Sequence, residues 1–114
     1  MGITAINLYR MGNANSPKMD DVRIGIPNQH IDAITDLSGL VWVVAGTGGV
    51  STWDTPNPGL RGRTWLIPSG IAYSDRLRVW NDSPGHWLWE PVRDMLLADF
   101  QADLTAINAA ARAL

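Results

Sequence analysis

The sequence predicts a compact α+β domain, and three observations carry that prediction. Short runs of β-forming residues recur between residues 40 and 91, each closed by Gly, Pro, Asn or Asp, which is the pattern of paired strands joined by turns. The C-terminal stretch carries apolar residues at helical spacing instead. A length of 114 residues suits a single domain built on one hydrophobic core, spanning residues 1–114.

The elements follow in order. Residues 3–10 place Ile6, Leu8 and Arg10 on one side of a first strand and Asn7 and Tyr9 on the other. Residues 12–27 mix Gly, Asn, Ser, Pro and charges, which is loop composition. Asn28 is placed to cap a short helix running to Leu37, with Ile31, Ile34 and Leu37 on one stripe and Ser38-Gly39 as its stop. Five β-like runs come next, at residues 40–45, 50–54, 63–68, 77–81 and 86–91. Gly46-Thr47-Gly48-Gly49 reads as a tight turn between two strands that uses positive φ. Residues 55–62 form the connection richest in Pro and Gly, the best candidate for a mobile loop over a site. From residue 92 to residue 114, Leu96, Leu97, Phe100, Leu104, Ile107 and Ala111 define an amphipathic helix whose wet face carries Asp99 and Asp103. Asp94 near its start and Arg112 near its end suit the helix dipole.

Composition removes several classes of function. With 46% hydrophobic and 18% charged residues the chain is globular in character, not disordered. Nine basic against eleven acidic residues, with no Lys/Arg cluster, argue against nucleic acid as main partner, since phosphate backbones need a basic stripe. The absence of cysteine excludes disulfides, a thiolate nucleophile and thiolate metal ligands. His30 and His86 lie far apart and no HExxH occurs, so no metal site is expected. No apolar run approaches the length of a membrane span, and residues 1–9 lack the basic and apolar regions of a cleavable export signal. A cytoplasmic place of action is expected, with secretion through a machine that needs no such signal left open.

The residues that can carry chemistry sit at strand ends. Arg10 closes the first strand, Ser51-Thr52 opens a middle strand after a glycine turn, and Glu90 ends the last strand, on the face of Leu88 and His86. An arginine fork suits a diphosphate because it donates parallel hydrogen bonds and keeps its charge. A carboxylate beside a ribose can accept from the 2′-hydroxyl and stabilise an oxocarbenium-like transition state. Each residue also has a plainer reading: Arg10 as a surface charge, Ser51 and Thr52 as turn caps, Glu90 as an edge-strand charge, His86 as a structural hydrogen-bonding residue. Trp53 can stack on the planar ring of a ligand or pack in a core, while Trp42, Trp65, Trp80 and Trp87 read as core or rim. Arg61 and Arg63 flank the Pro/Gly loop, within reach of phosphates or simply solvated. Ser51, His86 and Asp54 also supply the residue types of a hydrolytic set, without a nucleophile elbow around the serine.

Five segments share an order that carries a resemblance. They are Tyr9-Arg10; Gly48-Gly49-Val50-Ser51-Thr52-Trp53-Asp54; Trp65-Leu66-Ile67-Pro68-Ser69-Gly70; Leu77-Arg78-Val79 with Asn81-Asp82; and His86-Trp87-Leu88-Trp89-Glu90-Pro91. Together they resemble the Tse-two family of ADP-ribosyltransferase-like toxins, which includes type VI secretion effectors and related toxin domains neutralised by a partner protein. The resemblance covers residues 8–10 and roughly 39–104, and implies an ADP-ribosyltransferase-like fold with NAD as substrate. Arg10, Ser51-Thr52 and Glu90 then resemble the Arg/Ser-Thr-Ser/Glu pattern of the wider superfamily, with Trp53 standing at the third position of Ser-Thr-Ser. Leu88-Trp89-Glu90 lacks the first carboxylate of the Glu-x-Glu of arginine-modifying enzymes, which leaves NAD cleavage or transfer to another acceptor open.

The resulting expectation is an NAD-dependent bacterial toxin, a mono-ADP-ribosyltransferase or NAD glycohydrolase. Arg10, Ser51 and Glu90 would be catalytic, and Arg10, Ser51, Thr52 and Trp53 would contact NAD. A cognate immunity protein or antitoxin would cover the cleft or the 55–62 loop. The alternative is a non-catalytic toxin or binding module using the same fold.

Overall fold

The computed structural model describes residues 2–24, 31–56 and 62–114. In chain order the elements are β1 (Gly2–Ile3), β2 (Leu8–Gly12), β3 (Ala33–Thr35), β4 (Val41–Val43), β5 (Val50–Trp53), β6 (Arg63–Ile67), β7 (Ala72–Tyr73), β8 (Leu77–Ser83), β9 (His86–Pro91), β10 (Met95–Leu96), α1 (Leu97–Ala110) and β11 (Arg112–Ala113). Among the described residues the architecture is α+β, with antiparallel strands in three sheets and one C-terminal helix. The largest sheet has the order β11-β6-β2-β5-β9-β8; the others are β10-β4-β3 and the pair β1-β7.

Pleating sorts the large sheet into two faces. Register sets Tyr9 beside Trp53 and Trp53 beside His86, so these three share one face with Ser51, Leu88 and Glu90. The alternate residues Leu8, Val50, Thr52, Ile67, Leu77 and Trp89 point the other way and are buried, joining Phe100, Leu104 and Ile107 of α1 in the core. The spacing of those three helix residues, four and then three, is the stripe by which α1 closes this inner face.

Several elements differ from the sequence expectation. The helix expected over residues 28–37 is absent from its described part, residues 28–30 lying outside the described residues. Ile31 makes an isolated bridge to Ile24, and Ala33–Thr35 pairs with Val41–Val43. The reason is Asp36, whose carboxylate accepts from the backbone N–H of Ser38 and Leu40, the Ser38 hydroxyl and, at 2.8 Å, the Trp42 indole. That network reverses the chain into a hairpin and leaves Ile34 and Leu37 exposed, so the apolar stripe of the expected helix has nothing to pack against.

The expected first strand splits for a similar reason. Thr4 donates its hydroxyl to the Pro68 carbonyl and accepts from the Ile71 N–H, which draws Gly2–Ile3 onto Ala72–Tyr73 and away from the large sheet. Residues 46–49 do turn through positive φ, 79° at Gly46, but they carry the chain from one sheet to another instead of closing a hairpin.

The C-terminal helix is shorter than residues 92–114. Asp94 accepts from the Ala45 N–H at 2.9 Å, and Met95 and Leu96 pair with Val43 and Trp42, so helix begins only at Leu97. At the other end Arg112 and Ala113 join Leu66 and Trp65 as an edge strand. Asp94 and Arg112 therefore serve sheet contacts rather than the helix dipole. Among the described residues no helix is long and apolar enough to cross a membrane.

Candidate functional site

The outer face of the large sheet gathers most of the polar and aromatic groups expected at a site. Glu90 is almost fully buried at 3% exposure, and Arg78, directly across on β8, donates its Nε to the carboxylate. The Arg78 guanidinium also lies 4.9 Å from the centre of the Trp80 ring, a cation–π placement that holds its plane. A buried carboxylate without a partner would carry a large desolvation cost, and the Arg78 guanidinium supplies that partner.

Ser51 lies on the same face, one strand away and opposite Leu88, diagonal to both His86 and Glu90. Gly49 explains how β5 comes this close: a Cβ there would overlap the Trp89 carbonyl and press on Glu90 Cα. Trp53 and His86 meet edge to face, with ring centres 5.6 Å apart. His86 Nδ1 is bonded to Asp82, not to Asp54, whose carboxylate accepts from the Trp87 indole at 3.2 Å. The Ser51, His86 and Asp54 set is thus not assembled.

Two expected ligand residues stand elsewhere. Thr52 is fully buried on the inner face; its hydroxyl donates to the Trp87 carbonyl at 2.9 Å and accepts from the Trp89 indole at 3.1 Å, so it is a brace inside the core. Arg10 neighbours Tyr9 and therefore also lies on the face opposite Ser51 and Glu90. Its Nε donates to the Pro17 carbonyl at 2.9 Å, Nη1 to that of Ser51 at 2.7 Å and Nη2 to that of Lys18 at 3.1 Å. Burial lowers its pKa from the ordinary guanidinium value, with the charge of Asp21 acting the other way. Arg10 thus fixes the loop after β2 against β5, and the expected convergence of Arg10, Ser51-Thr52 and Glu90 on one cleft is replaced by a division across the sheet.

The remaining expectations sort simply. Trp65 is buried, Trp42 and Trp87 are half-buried, and Trp80 is at the rim with 39% exposure. Arg63 is exposed, while Arg61 and residues 57–61 of the expected loop lie outside the described residues. An open cavity of about 630 Å³ is lined by Arg10, Lys18, Asp20, Asp21 and Arg23, and a small one of about 80 Å³ by Ile3, Ile6, Leu8, Tyr73 and Trp87. Among the described residues no group of three or more His, Asp or Glu is placed to hold a metal ion.

Arg78 and Asp82 belong to the segments that carry the resemblance, but their partners, Glu90 and His86, depend on the register of β8 with β9. A plain count back from the Pro84-Gly85 turn, with Ser83 opposite His86, sets Val79 opposite Glu90. The bulge between Asn81 and Ser83 shifts that register by one and brings Arg78 there instead. Comparison with family models, with curated proteins and with solved structures finds no match for this chain.

Proposed function

We propose that this chain is an NAD-dependent toxin with an ADP-ribosyltransferase-like fold, acting in a bacterial cytoplasm and neutralised by a cognate immunity protein. One observation supports the reading most: Glu90, Ser51 and Trp53 lie on one face of one sheet, with Glu90 held in place by Arg78. In this reading the Glu90 carboxylate, 3% exposed and bonded to Arg78 in the free chain, is uncovered as substrate seats, accepts from the 2′-hydroxyl of the nicotinamide ribose and stabilises the positive charge that develops at C1′. The C1′–N bond breaks, nicotinamide leaves with the bonding pair, and water or another acceptor supplies the oxygen or nitrogen that bonds C1′, releasing one proton. Ser51 contacts the ribose, Trp53 offers a surface for the nicotinamide ring, and Arg10 acts as a positioning residue through its bond to the Ser51 carbonyl.

A second reading, a non-catalytic toxin or binding module, draws on a specific observation of its own. Arg10 is occupied by three carbonyls and lies across the sheet from Glu90, which removes the superfamily's diphosphate grip from this face. Nicotinamide release separates the two. Wild-type protein incubated with NAD, with and without cell extract, is expected to release nicotinamide, and Glu90→Gln to release on the order of 100-fold less. Growth arrest on expression that persists in folded Glu90→Gln, with no release by wild type, selects the binding module.

A further inference from the structure

We infer that strand β8 is a self-association edge, on which a second copy of this chain pairs antiparallel to extend the six-stranded sheet across a two-fold axis. The sheet has two ends, and they differ. β11 is a two-residue edge, whereas β8 runs for seven residues, Leu77–Ser83, with β9 on one side and no described strand on the other. No backbone group of residues 78–81 bonds to a described residue other than through β9. A row of unpaired N–H and C=O groups of that length is a pairing template, which natural edges blunt with proline, like charges or bulges. β8 has no proline or lysine; its two charges, Arg78 and Asp82, are opposite in sign, and its one bulge falls at the hairpin end.

Its charges choose the occupant. Arg78 stands near the start of the strand and Asp82 near its end, with Trp80 midway between them. An antiparallel two-fold through Trp80 sets Arg78 of each copy opposite Asp82 of the other and Trp80 opposite Trp80, whereas a parallel arrangement would set like charges together. The atoms are available: Arg78 uses Nε on Glu90, Asp82 uses Oδ1 on His86, and neither the Arg78 Nη groups nor Asp82 Oδ2 bonds another described residue. Opposite charges and an aromatic pair directly across an antiparallel junction are stabilising combinations. The bulge between Asn81 and Ser83 falls at Asp82, so the straight backbone pairing about the axis covers residues 79–81 and the Arg78–Asp82 contact closes on the bulged residue.

The two-fold makes a test possible that does not involve NAD. Trp80 is exposed at the rim, so Trp80→Lys and Trp80→Glu leave the core intact, which a thermal melt of each variant checks. By light scattering coupled to size-exclusion chromatography, wild type is expected at twice the 12.5 kDa chain mass at high micromolar concentration. Each variant alone is expected at the single-chain mass, because like charges then meet on the axis, and an equimolar mixture of the two is expected to recover the doubled mass. A wild-type chain that stays at the single-chain mass, or variants that remain doubled on their own, overturns the inference.

Discussion

The two faces of the large sheet treat the same residue types in opposite ways. On the inner face polar groups are spent on the fold: the Thr52 hydroxyl has both a donor and an acceptor partner in the core, and Arg10 gives three bonds to backbone carbonyls. On the outer face Glu90 and Arg78 satisfy one another, and the half-buried Ser51, Trp53 and His86 sit beside them. The lesson is local. Ser51 and Thr52 are neighbours in one motif, yet the two-residue period of a strand assigns one to the outer face and the other to the core.

That contrast can be broken by mutation, and Arg10 is where the effect is largest. Arg10→Ala leaves the Pro17, Ser51 and Lys18 carbonyls without their shared donor, and an expected loss of about 2–3 kcal/mol follows from the usual cost of charge-assisted hydrogen bonds. Urea unfolding measures it, and an unchanged midpoint would return Arg10 to the role of a ligand-facing residue. Loss of toxicity in this variant is therefore informative only at matched folded protein.

Asp36 extends the comparison to the small sheet and gives the smaller effect. Hydrogen bonds from Ser38 and Trp42 lower its pKa from 3.8 to about 2, so its contribution is present above the unfolded value and is lost as pH falls through about 2. The β3–β4 hairpin is expected to loosen between those values, seen as amide exchange at Leu40 and Trp42. In Asp36→Asn that pH dependence should disappear, because no proton is taken up there; a hairpin equally sensitive to acid in both proteins would place the titrating group elsewhere.

Much of the fold was legible because strand punctuation is local. The five late runs became β4, β5, β6, β8 and β9 within a few residues, and the Phe100, Leu104, Ile107 stripe became α1. What escaped was decided by tertiary partners. Ala33–Thr35 is a strand because Asp36 turns the chain back on itself, and Arg112–Ala113 is a strand because β6 offers an edge. The candidate site was half legible for the same reason. Alternation along β9 placed Glu90 with His86 correctly, but which face of β2 would join it depended on the pairing of Tyr9 with Trp53, and which β8 residue would meet it depended on a bulge.

Ser51→Ala and Thr52→Val, compared for nicotinamide release and for thermal stability in one experiment, test most directly whether chemistry belongs to the outer face. Ser51→Ala is expected to melt like wild type and release far less nicotinamide, while Thr52→Val is expected to lose about 1–2 kcal/mol of stability, by leaving the Trp89 indole without its acceptor, and still to release nicotinamide when folded. Release that survives Ser51→Ala but fails in folded Thr52→Val would contradict outer-face chemistry.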